Sequence, residues 1–280
     1  MLRIVTDGAV DLPPEWEKEF GIDVCPINVH FGEKTYIQGV DLSVEGFYNL
    51  VDQTRKVPKT SQPSPHQFIE FYRSIAQPGD TILSIHVTSK LSGTYASAVA
   101  ASREVAGIFD VIPFDSATGS MAMGFMCRAA RLQERAGQKI EQIIRSLEAM
   151  RAAGGIVLAL DTLEYARMSG RVGAMQAAIA SALNIKPIAK LKDGALFMTE
   201  KVRTRKASLE RLVSMVFEEM GERPLMMAVL QARDLKAGQE LLELVRAKFN
   251  IKEIVTSELT ISIAANLGPG TVGIVYFPAE

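Results

Sequence analysis

The chain has 280 residues, 48% of them hydrophobic and 22% charged, with a formal net charge of -1. That length exceeds one ordinary domain core and predicts two moderate domains, while the near-neutral charge excludes a general attraction to nucleic acid or anionic membrane. Cys25 and Cys127 stand alone beside only three histidines, which excludes a disulfide framework and a zinc-ligand spacing, so both cysteines read as buried small hydrophobes.

The start, "MLRIVTDGAV", carries Asp7 and no long apolar run. It reads as neither a secretion signal nor a membrane span, and the expectation is a cytoplasmic protein. "LRIVT" (2–6) is a buried strand. In the turn after it, "TDGAVDL", two carboxylates without further ligands make turn and cap bonds from Asp7 and Asp11 a simpler reading than a metal site. Pro13 and Pro14 open a helix over "EWEKEF" that Gly21 closes, and Ser43 opens a second at "VEGFYNLVDQ".

Two hydroxyl-rich stretches then each precede a helix. In "KTSQPSPHQF" (59–68) Ser64 fits the N-cap, Pro65 the first helical position and Gln67 the third, a capping box. That spends Ser64 and leaves Thr60 and Ser61 free, with Thr60 the candidate for ligand contact. "TILSIHV" (81–87) is a strand, and in "TSKLSGTYASA" (88–98) Ser92-Gly93 opens a helix directly after it. Helix-start N–H groups at the C-terminal edge of a sheet suit an anion or a polar head.

"FDVIPF" (109–114) is the next strand, and in the turn "FDSATGS" Asp115, Ser116 and Ser120 either fix the loop or reach into the same cleft. Gly137 closes the helix "GFMCRAARLQERAG", and "GIVLALD" (155–161) is a fourth buried strand. Such alternation predicts a parallel sheet with helices on both faces over residues 1–161. After 162 the pattern changes. "KPIAKLKDGALFMTEKV" (186–202) carries an Asp193-Gly194 hairpin turn, with helices expected at 205–219 and 237–249, so 162–280 reads as a second, mixed α/β domain. "GPGTVG" (268–273) matches a dinucleotide fingerprint in letters, but it precedes the strand "TVGIVYF" and reads as a tight turn. His30, His66 and His86 lie apart, so a Ser-His-Asp set would need long-range contacts.

"TDGAVDL", "TSQPSPHQF", "SIHVTSKLSGTYASA", "DSATGS", "LDTLEYARMSGRVG", "LNIKPIAKLKDG", "KVRTRKA" and "NLGPGTVGIVYF" follow the order and spacing of the DegV family of fatty-acid-binding proteins, which the whole chain resembles. The resemblance implies a two-domain α/β protein that buries a long-chain fatty acid between its domains. It implies a carrier with no catalytic residue, metal or cofactor of its own, the acyl-carrying subunit of fatty acid kinase. There a separate ATP-using subunit phosphorylates the bound carboxylate to an acyl phosphate for phospholipid synthesis. By the same resemblance Thr60, Ser61 and Ser92 hold the carboxylate, with Gly93 and Thr94 beside them. The tail is expected along "GSMAMGFM" (119–126), including Met121, and along Ile156 and Leu158 in "GIVLAL" (155–160). Arg203 sits where the family carries a basic residue associated with the partner or with phosphate transfer. Where family members show a Thr-His pair near the carboxylate and before G-P-G, this chain reads Ala265-Asn266, so by the resemblance Asn266 joins the carboxylate-binding residues as a group that can hydrogen-bond but not titrate.

Burying a tail of about fourteen methylenes at ~0.8 kcal/mol each supplies up to ~11 kcal/mol before entropic costs, so the tail sets affinity and the hydroxyls set orientation. The competing reading is a serine-dependent hydrolase or acyltransferase acting on acyl lipids through Ser92.

Overall fold

The computed structural model describes residues 1–171 and 185–279. Of the family-like motifs, Val172-Gly173 and Leu183-Asn184 lie outside the described residues. The chain divides into two compact units, Met1–Ala152 with Thr260–Ser262, and Ala153–Leu259 with Ile263–Glu280.

The first unit is built on β1 (Leu2–Asp7), β2 (Ile22–Cys25), β6 (Thr81–His86) and β7 (Asp110–Asp115). They form one parallel sheet in the order β2-β1-β6-β7. The long apolar runs read from sequence supply β1, β6 and β7. A small antiparallel sheet, β4-β3-β5, joins β3 (Asn28–Phe31), β4 (Lys34–Ile37) and β5 (Lys59–Ser61). Strands of three or four residues leave no period-2 run to detect, so β2 to β5 were not legible. Helices α1 (Pro14–Phe20) and α2 (Val44–Thr54) start where the punctuation predicts, and α1 also stops there. Gly21 closes α1 in the left-handed region and Ser43 Oγ caps α2 by accepting from Gly46 N at 3.0 Å. Phe68 and Tyr72 of α3 (Pro65–Ile75) pack with Ala98 and Ala101 of α4 (Thr94–Glu104) over Val5 and Ile82 of the sheet. Helices α5 (Ser120–Arg135) and α6 (Ile140–Ala153) follow.

The second unit holds β8 (Gly155–Ala159), β9 (Lys186–Lys192), β10 (Ala195–Val202), β11 (Leu225–Gln231), β12 (Ile251–Glu258) and β13 (Val272–Pro278). These make a mixed sheet in the order β10-β9-β8-β13-β11-β12. The hairpin β9–β10 turns at Asp193 and Gly194, whose φ of 49° and 78° are the two positive values a type I′ turn needs. Helices α8 (Arg205–Met220) and α9 (Leu235–Lys248) cover one face, closing a core with Val157, Val229, Ile274 and Tyr276. Also in the chain are α7 (Glu164–Ser169) and α10 (Ile261–Leu267).

One expectation is corrected. The strand at 155–161 does not extend the parallel sheet; β8 pairs antiparallel with β9 and β13, so the chain enters its second unit at Ala153, before the expected boundary at 162. An apolar run looks the same to either sheet. The choice is made across strands: a Cβ on Gly273 would come within 2.5 Å of Leu158 Cδ2, so β13 offers the cleft that Leu158 fills.

Candidate functional site

The first hydroxyl stretch forms β5, which pairs with β3 so that Thr60 faces Val29 and Ser61 faces Asn28. Successive strand residues point to opposite faces, so Thr60 and Ser61 cannot both turn to one ligand head through their side chains. Ser61 takes the far face, where its Oγ hydrogen-bonds His30 Nε2 at 2.8 Å while His30 Nδ1 meets Thr35 Oγ1 at 2.9 Å. Thr60 lies on the face of the fully buried Val29 and is half-buried. Ser64 is spent as its spacing predicts: its Oγ accepts from Gln67 N at 3.2 Å, and Gln67 Oε1 accepts from Ser64 N at 2.9 Å.

The second stretch leaves β6 and folds on Thr88, whose carbonyl accepts from Leu91 N and Ser92 N, both at 3.2 Å. Helix α4 begins at Thr94 with Gly93 as its N-cap, and no side chain caps it. Ser92 is therefore one residue ahead of the cap. Its Oγ accepts from Thr94 N at 3.3 Å and shares a 2.7 Å hydrogen bond with Thr94 Oγ1. Thr94 is fully buried, and its hydroxyl orients Ser92 instead of standing open itself. What remains accessible is the half-buried Ser92-Gly93 turn and a helix start whose N-cap glycine supplies no side-chain acceptor, with Ser92 Oγ already accepting from Thr94 N.

The two stretches meet. A Cβ added at Gly93 would lie 2.8 Å from Gln62 Nε2 and 3.1 Å from its Cδ, so the Gln62 carboxamide rests over the start of α4. Gln62 was not singled out from sequence, because glutamine in a turn carries no chemistry of its own until its neighbour is known.

Beneath the turn runs a sealed chain. Asp7 Oδ2 meets His86 Nδ1 at 3.1 Å, His86 Nε2 meets Ser84 Oγ at 2.7 Å, and Ser84 Oγ meets Tyr72 OH at 2.9 Å. All four residues are fully buried. One direction of donation satisfies every group: Tyr72 to Ser84, Ser84 to His86, His86 to Asp7. Burial pushes the Tyr72 hydroxyl well above its usual range, which keeps the proton the chain needs. Asp7 also accepts from Val87 N and Ala9 N, both at 2.9 Å. This is the long-range serine–histidine–aspartate contact that sequence could not show, and its serine is Ser84.

The other turn residues fix loops. Asp115 accepts from Ala117 N at 2.9 Å, and Ser116 Oγ donates to the His86 carbonyl at 2.7 Å. Ser120 Oγ donates to Asp11, whose other oxygen accepts from Thr260 N at 2.7 Å. Burial pushes the Asp11 carboxyl up to about 6 against the pull of these bonds. Both cysteines are buried, and burial pushes the Cys127 thiol up to about 12. Among the described residues no three His, Cys, Asp or Glu gather as metal ligands, and no helix is long and apolar enough to cross a membrane.

In the second unit, Ile156 and Leu158 are buried and alternate with Val157 and Ala159, which face the α8–α9 core; the expected lining residues therefore take the opposite sheet face. Met121, in α5 of the first unit, is fully buried. Arg203 is exposed just before α8. Its neighbour Arg205 is instead bound, its Nη2 lying 3.3 Å from Asp161 Oδ1, 3.1 Å from Asp234 Oδ2 and 2.5 Å from the Gly270 carbonyl. Asn266 is half-buried near the end of α10. The loop after it is the expected tight turn: Gly268 and Gly270 have φ of 86° and 77°, and Tyr165 packs where a Cβ on Gly268 would sit.

The sequence model of the DegV family matches residues 1–279. Protein DegV of Bacillus subtilis is 32% identical over 277 residues, 98% of each chain, and a solved structure of DegV from that organism is described as a fatty acid binding protein. A Thermus thermophilus structure described as fatty acid binding of a DegV family protein matches with a TM-score of 0.91 and 29% identity over 99% of each chain. The Fatty Acid Kinase (Fak) B3 protein of Streptococcus pneumoniae, loaded with linoleic acid, matches over 100% of each chain with a TM-score of 0.86; at 16% identity this likeness speaks for the fold.

Proposed function

This chain belongs to the DegV family, and we propose that it binds a long-chain fatty acid and presents the carboxylate to a separate ATP-using kinase subunit. The observation that carries the reading is the turn at Ser92: a half-buried hydroxyl, oriented by the buried Thr94, at a helix start whose N-cap is a glycine. A carboxylate there meets a hydroxyl donor and the positive end of α4. Thr60 and the Gly93 backbone complete the head-group contacts. Ser61, turned to His30, supports β5 from the other face. Met121, Ile156 and Leu158 would line the acyl chain, and the exposed Arg203 would face the partner. The acid is the ligand in this reading, with a cytoplasmic place in phospholipid metabolism.

The hydrolase reading needs a base for Ser92. The Ser92 hydroxyl is partnered by Thr94, and the serine that, among the described residues, is linked to an imidazole held by a carboxylate, Ser84, is sealed in the core. A carrier is therefore the reading the geometry favours. Native mass spectrometry tests it: a co-purifying C14–C18 acid that is released on denaturation is expected, whereas an acyl adduct surviving denaturation and lost in Ser92→Ala would establish the enzyme instead. Ser92→Ala should also lower bound lipid per folded protein about tenfold, the loss expected for one hydrogen bond to a charged group.

A further inference from the structure

Gly93 has an ordinary negative φ of -77°, so its backbone does not require glycine; what a side chain there would displace is Gln62. The Gln62 carboxamide, on an exposed residue, overlies the α4 start with its nitrogen nearest, 2.8 Å from where a Cβ would sit, and its oxygen farther, at 3.6 Å. Pro63 disfavours the helical region for the residue before it, so Gln62 stays extended and the alternation of β5 continues one residue further. Thr60 and Gln62 then share one side of the chain, and Ser61 with His30 takes the other.

We propose that Gln62 is a head-group residue of the fatty-acid site: its Nε2 donates to the ligand carboxylate opposite Ser92, and Gly93 is small so that this amide can close over the helix start. The proposal rests on the carboxylate lying at Ser92. It also assigns selectivity, since an amide N–H strengthens on a carboxylate and gains much less from a neutral alcohol of the same length. Gln62 is thus the residue that separates a free acid from an uncharged lipid head.

The test measures dissociation constants for palmitate and for hexadecanol on delipidated wild-type protein, Gln62→Ala, Gln62→Glu, Gly93→Ala, the Gln62→Ala/Gly93→Ala double variant and Ser92→Ala. Gln62→Ala should weaken palmitate about tenfold and leave hexadecanol within twofold, and Gln62→Glu should weaken palmitate further through charge repulsion. Gly93→Ala should cost palmitate a similar factor, and the double variant no more than either single change, because both remove the same contact. Wild-type palmitate binding by Gln62→Ala alongside weakened Ser92→Ala overturns this assignment and leaves the fatty-acid site standing. Equal losses for acid and alcohol overturn it too, making Gln62 a packing residue. Wild-type palmitate binding by Ser92→Ala overturns the site itself, and the Gln62 assignment with it.

Discussion

Ser84 and Ser92 flank the same strand end, and one has the partners of a hydrolase nucleophile while the other has the surroundings of a binding site. Ser84 hydrogen-bonds an imidazole that is itself held by a carboxylate, yet every member of that chain is fully buried and every donor is matched to an acceptor. The Ser92 hydroxyl has the hydroxyl and N–H of Thr94 as partners, lies half-buried, and sits at a helix start whose N-cap is a glycine. The sealed chain has no capacity left for a ligand, so its energy goes into joining α3, β6 and β1; the open turn has donors to spare. Triad-like partners therefore indicate chemistry only where a substrate can reach them.

The contrast can be broken most forcibly at His86. His86→Ala leaves Ser84 without its acceptor, removes one partner of the buried Asp7 and opens a cavity, and should cost about 3–4 kcal/mol of unfolding free energy in urea titration. A cost below ~1 kcal/mol would mean the sealed chain is not what holds these elements together. Asp11→Asn comes next and is read through pH. A folded-state value of about 6, against an ordinary 3.8, means the Asp11 contribution to stability is fully present below pH 4 and is lost as pH rises through 6. Wild type should therefore lose about 2–3 kcal/mol relative to Asp11→Asn between pH 4 and pH 7, since Asn keeps an acceptor for Thr260 N without the buried charge. Parallel stability curves for the two proteins would contradict the assignment.

The same open-versus-bound division recurs in the second unit. Arg205→Ala removes the donor to Gly270 and one partner each from Asp161, which keeps Lys186, and Asp234, which keeps Ala237 N, for an expected loss of about 2 kcal/mol. Arg203→Ala should stay within ~0.5 kcal/mol in stability while lowering kinase-subunit-dependent acyl-phosphate formation. If thermal melts rank the two arginines the other way, their roles are exchanged. The smallest shift is expected from Asn266→His, where palmitate affinity should change less than about twofold and acyl-phosphate formation should rise, because a charged donor is roughly twice as strong as a neutral one. Equal phosphorylation by both forms would show that a titrating group is dispensable there.

Much of the scaffold was legible because its signals are local. Capping residues, Gly21, the Asp193-Gly194 turn and long apolar strands each state their own conformation. The site was legible only in part. Ser92 and Thr60 stood out as hydroxyls, but Ser92 reads as a cap until the helix start is seen at Gly93, and adjacent Thr60 and Ser61 separate only once β5 is known to be a strand. Gln62 over Gly93, Asp7 with His86 and Asp11 with Thr260 are long-range pairings, which no spacing along the chain encodes.

The place of β13 in its sheet has a consequence for synthesis. The first unit has all four strands of its parallel sheet by Asp115, so that sheet can close early. In the second unit β13, residues 272–278, lies between β8 and β11, so until it is made the sheet exists as two separate halves, β10-β9-β8 and β11-β12. Each half then presents an apolar edge strand to whatever else is in reach, and a nascent chain halted before residue 272 carries two such templates for aggregation. A ribosome stalled short of that point therefore holds one nearly finished unit and one that calls for a chaperone.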